Sequence, residues 1–201
     1  VENETGRYEK MSEFAVFLDR DGTITEEVGY LTDSRRLRLL PGSAEAINLL
    51  NKYDIPAIVA TNQAGVARGY FREEMVIECN EKLRNMLAIL GAKVDAIYYC
   101  PHHPDGSNES YRKKCECRKP KPGMLLKAQK EFLIDLNKSY VIGDKASDLE
   151  FARSVGAHPL LVETGYGYGE VHYNKENWKV EAEGIFSNIF KAVSYIIEKE
   201  F

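Results

Sequence analysis

FLDRDGT, residues Phe17 to Thr23, closes the apolar run FAVFL (residues 14–18) with two aspartates, Asp19 and Asp21, followed by Gly22. An acidic pair at the tip of a buried segment is costly unless something uses the charge. Four more short apolar runs occur along the chain: AIVA (57–60), AIYY (96–99), YVI (140–142) and PLLV (159–162). Nearly continuous apolar segments of this length read as strands buried on both faces of a parallel sheet. Helical patterns lie between most of them. From Arg72 to Leu90, the residues Met75, Cys79, Leu83, Met86, Leu87 and Leu90 recur at spacings of three and four, and Gly91 suits a C-terminal cap. The stretches 122–133, 147–156 and 185–197 read as helices too, the last with a stripe of Phe186, Ile189, Phe190, Val193, Ile196 and Ile197. Strands alternating with helices predict a doubly wound, Rossmann-like α/β fold with a mostly parallel sheet. One domain is expected over residues 11–201, with the polar residues 1–10 as an N-terminal arm or an appended remnant.

Composition narrows the function. The 201 residues carry a net charge of −4, which argues against the basic footprint of a nucleic-acid binder. No apolar stretch approaches the roughly 20 residues of a membrane span. Four cysteines, three of them within residues 100 to 117, suit a metal site in a reducing compartment better than a disulfide framework. The expectation is a cytoplasmic protein, monomeric, with neither nucleic-acid nor membrane partners.

Polar motifs follow three of the strands: DRDGT after the first, TNQAG after the second, GDKASD after the fourth. In open α/β sheets, ligands bind beyond the carboxyl ends of the strands. Residues i and i+2 of extended backbone point to the same side, so Asp19 and Asp21 should face one cleft. Two such carboxylates repel unless a cation or a proton separates their roles. A magnesium ion on Asp19 keeps it ionised and nucleophilic, while Asp21 carries a proton as general acid. That division suits phosphoryl transfer through an aspartyl-phosphate. Thr61 offers a hydroxyl and a backbone N–H to phosphoryl oxygens, Lys119 a positive charge, and Asp144 a second magnesium carboxylate.

FLDRDGT, TNQAG, RKPKPG and IGDKASD together resemble the four motifs of the haloacid dehalogenase superfamily of phosphohydrolases, from residue 17 to residue 148. The resemblance implies Asp19 as nucleophile, Asp21 as acid/base, Thr61 as phosphate ligand and Lys119 as the third-motif lysine. Magnesium is expected at Asp19, Asp21 and Asp144, with a backbone carbonyl among its oxygen donors and Asp148 in support. Because no long insertion follows Asp21 or precedes Lys119, no separate cap domain is expected.

The segment CPHHPDGSNESYRKKCEC has the spacing Cys-x-His-x12-Cys-x-Cys. Three thiolates and an imidazole make a closed tetrahedral zinc set, and zinc would explain so long a polar loop. Cys100, Cys115 and Cys117 are the expected thiolates. Spacing leaves His102 and His103 open, and the resemblance favours His102. Cys79, on the helical stripe, reads as core.

Within the superfamily, EEVGYL, TNQAGVARGYF, the cysteine loop and GYGYG resemble the D-glycero-D-manno-heptose 1,7-bisphosphate phosphatases. That resemblance implies removal of the 7-phosphate in the route to nucleotide-activated heptose. It also implies a substrate lining of Glu27, Val28, Gly29, Tyr30, Thr61, Asn62, Gln63, Ala64, Arg118, Lys119 and Lys145. Arg68 could meet a second anionic group. Rival readings are a histidinol-phosphate phosphatase or another small-metabolite phosphatase, a polynucleotide 3′-phosphatase, and a non-catalytic zinc-stabilised binding module.

Overall fold

The computed structural model describes residues 13–201; the segment read as an N-terminal arm, residues 1–10, lies outside the described residues. The first strand, β1 (Val16–Leu18), ends where the aspartate pair begins, and parallel strands flank it on both sides. The chain continues through α1 (Ser43–Lys52), β2 (Ala57–Asn62), α2 (Glu73–Ile89) and β3 (Ala96–Cys100). It then passes through α3 (Gly123–Phe132), β4 (Tyr140–Gly143), α4 (Ala146–Arg153), β5 (His158–Val162), α5 (Gly167–Tyr173), β6 (Gly184–Phe186) and α6 (Ile189–Glu200). The sheet is parallel throughout, in the order β3-β2-β1-β4-β5-β6.

Alternation along the strands divides the core in two. Val16 and Leu18 join buried residues of α1, α2 and α6 on one face. Ala15 and Phe17 join Met124, Leu125, Phe151 and Ala152 from α3 and α4 on the other. A fully buried leucine or phenylalanine contributes roughly 1.5–3 kcal/mol relative to exposure, so the two faces together lock the register of β1. Because the chain runs outward through β2 and β3 and then returns to place β4 against β1, the strand order reverses between β1 and β4. The carboxyl ends of β1, β2 and β4 meet there, where open α/β sheets bind ligands. Among the described residues, no second sheet or separate cap interrupts this architecture.

One expected element divides. The stretch 185–197 is not a single helix: Ile185 and Phe186 belong to the edge strand β6, and the helix starts only at Ile189. Asn188 makes the break, since its side-chain oxygen accepts the Lys191 N–H as an N-cap. At the other end of α2, Gly91 sits at φ +76°, the left-handed conformation expected of a C-terminal cap. Among the described residues, no helix is long and apolar enough to cross a membrane.

Candidate active site

At the switch point lies a cleft of about 320 Å³ whose lining includes Asp19, Asp21, Thr61, Arg118, Lys119 and Lys145. Asp19 stands at the end of β1, with its Oδ1 accepting the Arg20 N–H at 2.8 Å and lying 3.0 Å from Lys119 Nζ. The Lys119 ammonium also approaches Asp148 Oδ1 at 2.6 Å and donates to the Ala60 carbonyl at 2.9 Å. Burial works against this cation, but the two aspartates outweigh it and raise its pKa. Lys119 is carried by the cysteine loop yet fastened to β2: Asn62 Nδ2 donates to the Lys119 carbonyl, and the Lys119 N–H donates back to Asn62 Oδ1.

Asp21 faces the cleft as expected, but its carboxylate is held from behind. Arg20, 1 % exposed, donates through Nε and Nη2 to both oxygens of Asp21, and its Nη1 donates to Asn80 Oδ1 on α2. Gln63 Nε2 and the Thr25 hydroxyl add two more donors. Burial would raise the Asp21 pKa; the Arg20 fork and these hydrogen bonds prevail and lower it. With these donors on both oxygens the carboxylate form of Asp21 is favoured, so the proton-carrier role expected from the spacing requires Asp21 to take up a proton before the chemical step. The same Gln63 Nε2 donates to Thr61 Oγ1 at 3.0 Å, tying the second motif to the first.

Asp144 is fully buried, and Gly22 is what lets it approach. Gly22 has φ +87°, and a β-carbon there would lie 2.1 Å from Asp144 Oδ2. That oxygen accepts the Tyr166 backbone N–H at 2.9 Å, whereas Asp144 Oδ1 is buried without a hydrogen-bond partner. Burial, reinforced by Asp19 and Asp148 and opposed by Lys145, pushes the Asp144 carboxyl up to about 7. Carboxylate oxygens of Asp19, Asp144 and Asp148 lie within 4.8 Å of one another. A buried oxygen with no hydrogen-bond partner and only the Lys145 ammonium at 3.4 Å, in an all-oxygen, triply acidic set, fits a magnesium ion. The carboxylate of Asp21, expected among the magnesium positions, is not in this cluster; its oxygens face Arg20, Gln63 and Thr25.

The cysteine loop also converges. Sγ atoms of Cys100, Cys115 and Cys117 are 3.2–3.5 Å apart, and His102 Nδ1 lies 3.4 Å from Cys117 Sγ. The cysteines are free thiols, and this compact Cys₃His set can hold zinc. His103, the alternative by spacing, is turned away: its Nδ1 accepts the Asp105 N–H, and its Nε2 is 3.2 Å from Arg68 Nη2. Arg68, which could meet a second anionic group, is not among the residues lining the cleft. The loop is moored by Glu73, whose two oxygens accept the hydroxyls of Tyr99 and Tyr111.

Of the expected substrate lining, Glu27, Gly29, Tyr30, Thr61, Asn62, Gln63, Ala64, Arg118, Lys119 and Lys145 reach the cleft. Val28 does not, because it packs against the core. The cleft adds Leu31, Gly65, Phe71, Ser147 and Tyr166, which lie within the quoted motifs but were not named among the expected lining residues. Tyr166 carried two signals: it lies in the GYGYG stretch, and it follows β5 directly, the same place relative to its strand as the other motifs.

Residues 116–182 match a family model described as HAD-hydrolase-like. The chain is 46 % identical over 153 residues to the D-glycero-beta-D-manno-heptose-1,7-bisphosphate 7-phosphatase of Photorhabdus laumondii, covering 75 % of this chain and 81 % of that protein. With the enzyme of the same name from Escherichia coli K12 it is 42 % identical over 166 residues, covering 82 % and 86 %. Among solved structures, the D,D-heptose 1,7-bisphosphate phosphatase of B. bronchiseptica, complexed with magnesium and phosphate, superposes with a TM-score of 0.82 at 30 % identity, covering 94 % of this chain and 99 % of that one. The chain belongs to the D-glycero-beta-D-manno-heptose-1,7-bisphosphate 7-phosphatase family of haloacid-dehalogenase-like hydrolases.

Proposed function

We propose that this protein removes the 7-phosphate of D-glycero-D-manno-heptose 1,7-bisphosphate, with Asp19 as nucleophile. The observation that carries the reading is the convergence of Asp19, Asp21, Thr61 and Lys119 in one cleft over a buried carboxylate cluster. An Asp19 oxygen attacks phosphorus, and the bond from phosphorus to the sugar oxygen breaks. The proton taken up by that oxygen is delivered from Asp21, which takes it from solvent before the step. Asp21, then a carboxylate held by Arg20 and Gln63, takes a proton from the water that attacks the aspartyl-phosphate. Inorganic phosphate leaves and Asp19 is restored. Thr61 and Lys119 hold the transferring group. Asp19 and Asp144, with Asp148 beside them, are the residues that would hold magnesium. When bound, magnesium supplies positive charge for the phosphoryl oxygens.

Zinc on Cys100, His102, Cys115 and Cys117 would serve structure rather than chemistry, since the set leaves no open ligand position. It would fix the loop that delivers Arg118 and Lys119. Thiolate ligands of this kind suit a reducing, cytoplasmic setting.

The second phosphate of the substrate is assigned to Arg118. Lys119 is engaged by Asp19 and Asp148, and Lys145 by Glu27 and Asp144. Arg118 lines the cleft, donates to the His102 carbonyl and, among the described residues, makes no ion pair with a carboxylate. Contacts to charged groups contribute roughly 1.5–3 kcal/mol each, so a bisphosphate should be preferred at least about tenfold. The test compares kcat/KM for heptose 1,7-bisphosphate, heptose 7-phosphate and histidinol phosphate with magnesium present. A better rate on histidinol phosphate would overturn the substrate assignment.

A further inference from the structure

Lys145 and Tyr166 stand between two open spaces. One is the cleft already described; the other, about 280 Å³, is lined by Lys145, Tyr166, Gly169, Glu170 and Asn174. A lysine in such a partition needs holding, because its four-carbon stem is flexible and its side chain is 34 % exposed. Three groups hold the ammonium. Glu27 Oε2 lies 3.2 Å away, Asp144 Oδ1 3.4 Å away, and the centre of the Tyr166 ring 4.6 Å away.

These three attractions differ in kind. A carboxylate takes up an ammonium N–H, and Asp144 is also the residue a metal cation would claim. The ring attracts the charge through its quadrupole without taking an N–H, so beside the contacts to Glu27 and Asp144 one of the three donors remains for a further oxygen partner. The backbone of Tyr166 makes an independent contribution, since its N–H donates to Asp144 Oδ2. That bond survives any replacement of the side chain other than proline, so the contribution of the ring can be isolated.

We propose that Tyr166 is a positioning residue for phosphate binding: its ring holds the Lys145 ammonium at the cleft wall while leaving an N–H donor for a phosphoryl oxygen. The inference rests on the expected place of Lys145 in the substrate lining, where it reaches the cleft although Glu27 and Asp144 each engage its ammonium.

The test is a double-mutant cycle, which isolates coupling between neighbours. Inorganic phosphate is titrated calorimetrically into the magnesium-loaded protein. The variants are Tyr166→Phe and Tyr166→Leu, each alone and combined with Lys145→Met. Tyr166→Phe keeps the ring and should bind phosphate as the parent does. Tyr166→Leu should weaken binding by about three- to tenfold, and should weaken it no further once Lys145 is methionine. Tyr166 is 49 % exposed, and Tyr166→Met supplies a second ringless variant if the leucine form melts early. A loss in Tyr166→Phe equal to that in Tyr166→Leu would overturn the proposal by assigning the effect to the hydroxyl. A leucine effect that persists beside Lys145→Met would overturn it by showing that the ring acts without the lysine. A parent protein that binds phosphate but leaves heptose bisphosphate untouched would refute the substrate reading alone, and the phosphate titration would still decide this one.

Discussion

Replacing Lys119 by methionine tests how the cleft keeps its carboxylates together. The stem length is nearly kept; what disappears is one charge and three N–H donors. The ammonium sits 3.0 Å from Asp19 and 2.6 Å from Asp148, donates to the Ala60 carbonyl, and belongs to a residue 5 % exposed. Removing one partner of a buried ion pair costs about 3–5 kcal/mol, and loss of the donor to Ala60 adds on the order of 1 kcal/mol. The stranded carboxylates can take up protons, which offsets part of the sum, so a net loss of about 3 kcal/mol is expected near neutral pH. At roughly 2–4 °C per kcal/mol for a chain of this size, melting should fall by about 6–12 °C. The measurement is urea unfolding without magnesium, on the parent, Lys119→Met, Asp148→Asn and the double variant. Neutralising Asp148 removes one stranded charge, so the double variant should be more stable than the summed single effects allow. Magnesium should restore part of the loss by mass action, about 2.7 kcal/mol at a hundredfold excess over its dissociation constant. A Lys119→Met protein within 1 kcal/mol of the parent, or strict additivity in the double variant, would refute the reasoning.

The zinc reading predicts one equivalent of zinc per chain by elemental analysis of protein purified without added metal. Cys115→Ser should lower melting temperature and turnover together, because the same loop carries Arg118 and Lys119; unchanged melting and turnover in a zinc-free protein would mean the loop is held otherwise. Alkaline stability should report the Glu73 mooring. Burial, the Glu73 hydrogen bond and the Glu73 charge push the Tyr99 hydroxyl up from its ordinary 10.0 to about 12. Because the folded pKa is raised, this stabilisation is whole below pH about 10 and is lost as pH rises through about 12. Glu73→Gln removes the charge, so tyrosinate absorbance should show Tyr99 ionising at lower pH; an unchanged midpoint would contradict the assignment.

The strands and the motif residues were legible because the chain spells them locally. Each buried strand is a short apolar run, and Asp19, Asp21 and Thr61 stand at the ends of such runs, whereas Lys119 was legible from its own motif. What escaped depended on contacts across the chain. Arg20 lies between two aspartates that draw the eye, and its role emerges only when Asn80, 60 residues away, receives its third donor. Tyr166 sits in the quoted GYGYG stretch, but nothing in that stretch pointed to Lys145 as the partner of its ring. His102 and His103 are equivalent by spacing and separate only because Arg68 and Asp105 engage the second. The β6 strand was hidden because Ile185 and Phe186 fit the apolar stripe that continues into α6, and only the Asn188 cap divides them. The acidic cluster was half legible: Asp19 and Asp144 were expected at the cation, but the Arg20 fork that turns the Asp21 carboxylate away was not.

The central claim, that Asp19 is the nucleophile, is tested most directly by trapping the magnesium-loaded protein with beryllofluoride and locating the mimic crystallographically. The account predicts beryllium bonded to an Asp19 carboxylate oxygen in the parent, no such adduct and no turnover in Asp19→Asn, and a retained adduct with slowed turnover in Asp21→Asn. Beryllofluoride bound to any other residue, or full activity in Asp19→Asn, would contradict it.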